Sequence, residues 1–348
     1  MDGSTTGVTA AGRPAGAPRA GGLPRRHVLG ALLAFPLAGC VGVPIGAGGA
    51  GTTTDPGGAA SAPGGDAGAG GRRLAGHLVV KDSELTVLDP ATGRARSFPA
   101  AETSSAPGVG VSRSGVIGDV WDYFGPASDS WHVTVRSLAG EQLADYTVGG
   151  PLSFPTSAAT LDPTASRLAY SVDEPQSQDG DAERIDRVYV YDLRTGAVLS
   201  TVDGRAEPVL TGTGELLVRA EDAIHVYDAQ YADQGPAGLK ASPRAGAFDV
   251  SPDGRYVVAE SDFRLHGLDR TTGRTWQVSD ELHRAHTSPA FSPDGRWLAF
   301  LRAGEVASQY LAVIPFVPGR TREVVDTDEL RSPSGDFYGG TGRIGWAA

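Results

Sequence analysis

Two stretches of this chain, FDVSPDGRYVVAES at 248–261 and PAFSPDGRWLAFLR at 289–302, are near copies of one another. Weaker copies of the same turn occur in VSRSGVIGDV (111–120), LDPTASRLAYS (161–171) and LTGTGELLVRA (210–220). The turns begin at Ser112, Asp162, Thr211, Ser251 and Ser292, at spacings of 50, 49, 40 and 41 residues. A second turn recurs between them at Asp89–Gly93, Asp192–Gly196 and Asp269–Gly273, with looser equivalents near Ser137–Gly140, Asp228 and Pro315–Gly319. Proline fixes φ at the second turn position, and glycine or aspartate tolerates the tight return. Alternating apolar residues follow, as at Leu168/Tyr170, Val188/Val190 and Leu298/Phe300.

Units of 40–50 residues with four short strands each and fixed turns predict a β-propeller rather than a sandwich. The chain ends in GRIGWAA, which aligns with TSPAFSP so that Trp346 stands opposite Phe291. The last unit therefore stops after one strand. The first opens with three, HLVVKD, ELTVLD and ARSF. Pairing the two ends predicts an all-β, six-bladed propeller closed by its C-terminal strand, with no open seam. Across about residues 74–348 the SPDG turns and this closure resemble the TolB-like propeller family. That resemblance implies the fold and protein–protein contact in the cell envelope; the α/β domain that precedes the propeller in the family has no counterpart in residues 41–73.

The N-terminal part reads as an address. Residues 1–24 are rich in Gly, Ala, Pro and Thr, and RRHVLGALLAFPLAGC follows. Two arginines, an apolar run from Val28 to Ala38 and small residues before a cysteine are the parts of an export signal. The run is half the length of a membrane-spanning helix. Leu37-Ala38-Gly39-Cys40 resembles the lipobox of bacterial lipoproteins, which implies acylation (palmitate) of the sole cysteine and cleavage just before it. Arg25-Arg26-His27-Val28-Leu29 resembles a twin-arginine motif, although Pro24 stands where a polar residue is usual. The expected organisation is a signal peptide at 1–39, a lipidated Cys40 with a flexible Gly/Ala/Pro linker over 40–72, and a propeller over 73–348. The expected location is the outer face of the cytoplasmic membrane. Several acyl chains make such an anchor stable, at about 0.8 kcal/mol per buried methylene.

Beyond Cys40 the chain has 26 basic and 40 acidic residues, a formal charge of −14. Such a domain repels phosphate backbones and excludes nucleic acid as the partner. In a propeller the a–b and c–d turns share one face and the b–c and d–a loops share the other. The first set is short. The second holds the insertions at Gly118–Ser130, Asp173–Arg187, Asp280–Ser288, Arg302–Gln309 and Asp326–Thr341. Binding is expected on that long-loop face. GDVWDYFGPASDSW places Trp121, Tyr123, Phe124 and Trp131 beside Asp119 and Asp122, rigid aromatics beside acids that suit an interface. The same rings could instead fold inward and plug the loop.

Asp179, Asp181 and Glu183 have the acid density of a calcium loop without its ligand spacing, and a solvated acidic loop is the stronger reading. His283 and His286 could share a metal, with no third ligand nominated. His77, His132, His225 and His266 fall in strand-like runs. No cofactor is expected, calcium being the alternative. No GxSxG elbow, HExxH motif or Gly-rich phosphate loop is present. An enzyme is therefore the weaker reading, a metal-assisted lactonase or lyase being its best form, with a small-ligand sensor as a third. The leading expectation is a monomeric, lipid-anchored propeller whose long-loop face binds an envelope or secreted protein.

Overall fold

The computed structural model describes residues 74–81, 84–99, 109–122, 131–148, 154–155, 159–175, 184–220, 223–240, 247–281, 284–303, 309–325, 329–330 and 344–348. All belong to one compact unit, residues 67–348. Arg25, Arg26, Leu37, Ala38, Gly39, Cys40, Tyr123, Phe124, Asp179, Asp181, Glu183 and His283 lie outside the described residues. No helix among the described residues is long and apolar enough to cross a membrane.

Six antiparallel sheets form six blades. Blade 1 runs from Ile344–Ala347 at the centre through His77–Lys81 and Glu84–Leu88 to Ala95–Pro99. Blade 2 comprises Val109–Val111, Val116–Asp122, Trp131–Ser137 and Gln142–Val148. Blade 3 has a split inner strand, Phe154–Pro155 and Thr160–Leu161, then Arg167–Pro175, Arg184–Asp192 and Val198–Asp203. Blade 4 spans Ala206–Leu210 to Asp233–Lys240, blade 5 Phe248–Val250 to Arg274–Gln277, and blade 6 His286–Phe291 to Glu329–Leu330. The C-terminal strand pairs with the first one, Trp346 opposite Leu78 and Ile344 opposite Val80. A short parallel pair, Ser279–Asp280 with Arg322–Glu323, ties the exit of blade 5 to the outside of blade 6.

The repeated turn residues have a local job. Ser251 Oγ accepts the Tyr256 N–H (2.8 Å) and donates to Asp253 (2.5 Å), and Gly254 takes φ +74. Ser292 and Asp294 repeat the arrangement. Thr211, Asp162 and Ser112 each offer a side-chain oxygen to the same returning N–H in the degenerate copies. Any short side chain with an oxygen acceptor therefore serves, which is why the copies drift between Ser, Thr and Asp.

Second strands of the blades read HLVVK, RLAYS, LLVRA and YVVAE, nearly continuous apolar runs, because both sheet faces are buried between blades. Leu78 and Val80 pack on blade 6, whereas Val79 packs on blade 2. Six apolar clusters result, one in each seam. Each fully buried Leu or Phe contributes about 2 kcal/mol.

The middle residue of each inner strand points at the next blade, and where the seam is tightest it is glycine. A Cβ on Gly110 would lie 1.3 Å from the Ala159 carbonyl oxygen, and one on Gly345 would lie 2.4 Å from Val111. Gly110→Ala should therefore cost about 1–3 kcal/mol through overpacking, measured as a lowered Tm against wild type. An unchanged Tm would mean that this seam is looser than described.

Candidate functional site

The two faces of the ring differ in regularity as well as in loop length. On the short-turn side, every a–b turn is closed by its own side-chain oxygen. On the other side, two inner strands are irregular among the described residues. Blades 4 and 6 have bulges at Ala206/Val209 and Thr287/Ala290, with Glu207 and Ser288 both at φ +53 and each followed by proline. Proline lacks the N–H that a ladder needs, so these strands leave the pairing where they meet the channel mouth.

Some spans expected to be loop are hairpin. Strands continue to Asp122 and Pro175 and resume at Trp131 and Arg184, because Asp122 pairs opposite Trp131 and Pro175 opposite Arg184. Asp119, Trp121, Asp122 and Trp131 thus sit on the arms of the blade 2 hairpin rather than in an insertion, with Trp121 opposite His132. The strand of blade 6 likewise runs on to Ala303 and resumes at Gln309. His77, His132, His225 and His266 all lie in strands, as expected.

The channel holds a cavity of about 80 Å³ bordered by inner-strand residues of every blade, with Asp249 and Arg113 among its polar lining. Arg113 occupies the place that proline takes in the SPDG turns. From blade 2 it reaches across the ring to donate to the Val250 carbonyl of blade 5 at 2.8 Å. Its own carbonyl accepts the Ala348 N–H (3.0 Å). Asp249 accepts the Val250 and Phe291 amides at 2.8 and 2.7 Å, joining blade 5 to blade 6. Burial pushes its carboxyl above the ordinary range against the pull of Arg113, and burial lowers Arg113 in turn. The channel is strutted at its short-turn end.

At the seam of blades 5 and 6 lies a buried polar network. The Ser279 hydroxyl meets His286 Nδ1 at 2.7 Å, and His286 Nε2 meets Glu281 at 3.0 Å. Arg302 donates from Nε to Glu281 (2.6 Å) and from its terminal nitrogens to Glu281 and Glu329. Arg284 adds contacts of 3.4 and 3.8 Å to the same two carboxylates. Burial lowers the His286 pKa although Glu281 opposes it, so the ring is neutral, with its Nε2–H donated to Glu281 and its Nδ1 accepting from Ser279. Both nitrogens are engaged, and neither is open to a metal. Among the described residues no group of three His, Cys, Asp or Glu is placed to hold one. The order Ser–His–Glu resembles a hydrolytic triad, but Ser279 is 0% exposed and its oxygen also accepts the Leu265 N–H (3.3 Å). No substrate reaches it. The network fastens chain segments.

One further polar feature escaped the reading of the sequence. Register with the inner strands places Lys81, Ser171, Arg219 and Glu260 at one height in four different blades. Lys81, Ser171 and Glu260 are buried. Glu260 is the least compensated of the four, 2% exposed with Oε1 lacking a hydrogen-bond partner, and burial pushes its pKa up to about 8. The signal was in the sequence as the polar residue that follows three apolar ones in HLVVK, RLAYS, LLVRA and YVVAE.

With this geometry in view, comparison with known proteins identifies the fold. No protein-family model matches the chain, and no curated protein sequence matches it. Among solved structures, TolB from Acinetobacter baumannii superposes with a TM-score of 0.51 at 14% identity, over 78% of this chain and 67% of that one. A chain of a nidogen/laminin complex gives a TM-score of 0.51 at 13% identity, over 78% of this chain and 98% of that one. The chain is a six-bladed β-propeller. At such identities the likeness is one of fold, and the function of the propeller has to be argued from its own surface.

Proposed function

We propose that this propeller is a lipid-anchored, extracytoplasmic binding module that engages a protein on its long-loop face. One observation carries the reading: strutted, regular turns occupy one face, while the hairpin extensions and strained inner strands gather toward the other. Function collects on variable connections held by a rigid scaffold. The resemblance of Leu37–Cys40 to a lipobox supports anchoring at the N-terminus, and Arg25-Arg26 supports twin-arginine export. In this reading the pairing of Ile344–Ala347 with His77–Lys81 closes the ring. Treated as a flexible coil, the linker of about thirty residues gives the propeller a reach on the order of 30 Å.

Two measurements test this. Cys40→Ala should abolish incorporation of labelled palmitate and move the protein from the membrane to the soluble fraction; label retained on the variant would sink the anchor. Photo-crosslinkers at Asp122 and Ala303 should capture one specific envelope protein in intact cells, while those at Asp253 and Asp294 on the short-turn face should not. Equal capture from both faces would sink the assignment of the face.

A further inference from the structure

From the geometry we infer that Phe263 is the anchor residue of the long-loop face, and that it docks into an apolar socket rimmed by lysine or arginine on a partner protein. The inference rests on the reading of that face given above. Phe263 lies at the tip of the blade 5 hairpin, between Tyr256–Ser261 and Arg264–Asp269, and is 60% exposed. The other large apolar side chains exposed among the described residues are aliphatic. Leu143, Val198 and Leu199 are on outer strands, Val317 is in a short-face turn, and Val325 is on the outside of blade 6.

Stability does not explain this ring. Ser261 pairs directly with Arg264, so Asp262 and Phe263 are the central residues of a two-residue turn, at φ +51 and +60. That geometry prefers Asn-Gly. Aspartate tolerates it, whereas a bulky residue at positive φ is strained. A side chain that strains the backbone and remains mostly in water works against folding, and such strain gathers at functional positions.

The tip is also held in place. The Phe263 carbonyl accepts the His286 N–H at 3.0 Å and an Arg264 N–H at 3.1 Å, and Arg264 reaches the Arg284 carbonyl at 2.6 Å. The turn is thus bolted to the start of blade 6 beside the buried Glu281–Arg302 network. A fixed aromatic loses little freedom on binding, the quality expected of a hot spot.

Charge selects the partner. Asp262 beside Phe263 and Asp280 at the exit of blade 5 are exposed, whereas Arg264 and Arg284 at the tip are half-buried and engaged by backbone carbonyls and Glu281. On the same face the described arms of the blade 3 hairpin carry Asp173 and Asp186 against Arg187, and the chain beyond Cys40 has a formal charge of −14. A second copy of this chain would bring another −14 charges to the contact, so a cationic rim is the complementary one.

The test pans a displayed library of random peptides against the full chain in detergent micelles, with wild type and Phe263→Gly in parallel. Peptides with an apolar core flanked by Lys or Arg should enrich on wild type and bind the variant at least about tenfold more weakly. Phe263→Gly should melt at or above the wild-type temperature, because glycine fits the turn. No enrichment, equal binding to both proteins, enrichment of acidic peptides, or a lowered Tm would each overturn the inference. So would a concentration-dependent dimer that Phe263→Gly abolishes, since the occupant would then be a second copy. If crosslinkers at Asp122 and Ala303 capture a partner while the peptides ignore residue 263, the anchor falls and the face stands. If both fail, the functional reading fails with it.

Discussion

Replacing Arg302 by leucine should destabilise the propeller by about 3–5 kcal/mol, the range for removing one member of a buried ionic network. Arg302 is 2% exposed and bonds Glu281 and Glu329 together. Without it, two nearly buried carboxylates face each other with only the longer contacts of Arg284 to balance them. Burial alone would raise the Glu281 pKa, yet hydrogen bonds from Arg302 and His286 hold it below the ordinary value. The variant should therefore lose most of its stability at neutral pH and recover part of it in acid, where the orphaned carboxylates take up protons. A triple replacement, Arg302→Leu with Glu281→Leu and Glu329→Leu, should regain much of the loss, since apolar residues of similar volume substitute well for buried ion pairs. Arg255→Ala removes a pair whose arginine is 45% exposed and screened by solvent, and should have a far smaller effect. Denaturant titrations of the four proteins decide the matter. A single-variant loss no larger than that of Arg255→Ala would show that the network contributes little.

The second large effect is a pH dependence. Glu260 has a pKa of about 8 in the folded protein against an ordinary 4.5, because burial disfavours its charge and, among the described residues, no partner offsets the cost. Below about pH 4.5 both folded and unfolded chains carry the proton, and the group is neutral to stability. Between that point and pH 8 the folded state binds more protons than the unfolded one. Stability then falls as pH rises, by an amount on the order of 3–5 kcal/mol over the whole interval. Glu260→Gln cannot ionise, so it should lose this slope and become more stable than wild type at pH 8 than it is at pH 5. Unfolding free energies of both proteins at pH 5 and pH 8 give the difference directly. Parallel pH profiles would mean that the carboxylate is paired in solution.

Three positions measure how much was legible beforehand. Ser251, Ser292 and their drifting copies were readable because each turn is closed by a side chain bonding an amide four or five residues away. The sequence around Trp121, Asp122 and Trp131 predicts loop where the structure has hairpin arms. Their acids and aromatics look like loop residues, but cross-strand pairing extends the strands past them. Arg113 looked like a degraded SPDG turn, and its reason is a carbonyl 137 residues away.

The order of blades and the chemistry of every short turn were written in the chain itself, because those features depend on hydrogen bonds and side-chain alternation within a few residues, and the blade number followed from counting the repeats. The seam network of Ser279, Glu281, His286, Arg302 and Glu329, the unpartnered Glu260 and the strained exposure of Phe263 were decided only by the closed ring. Each depends on which groups a neighbouring blade brings within about 3 Å, or fails to bring. Burial and charge pairing are properties of space, and residues distant in sequence meet only once the sheets have packed.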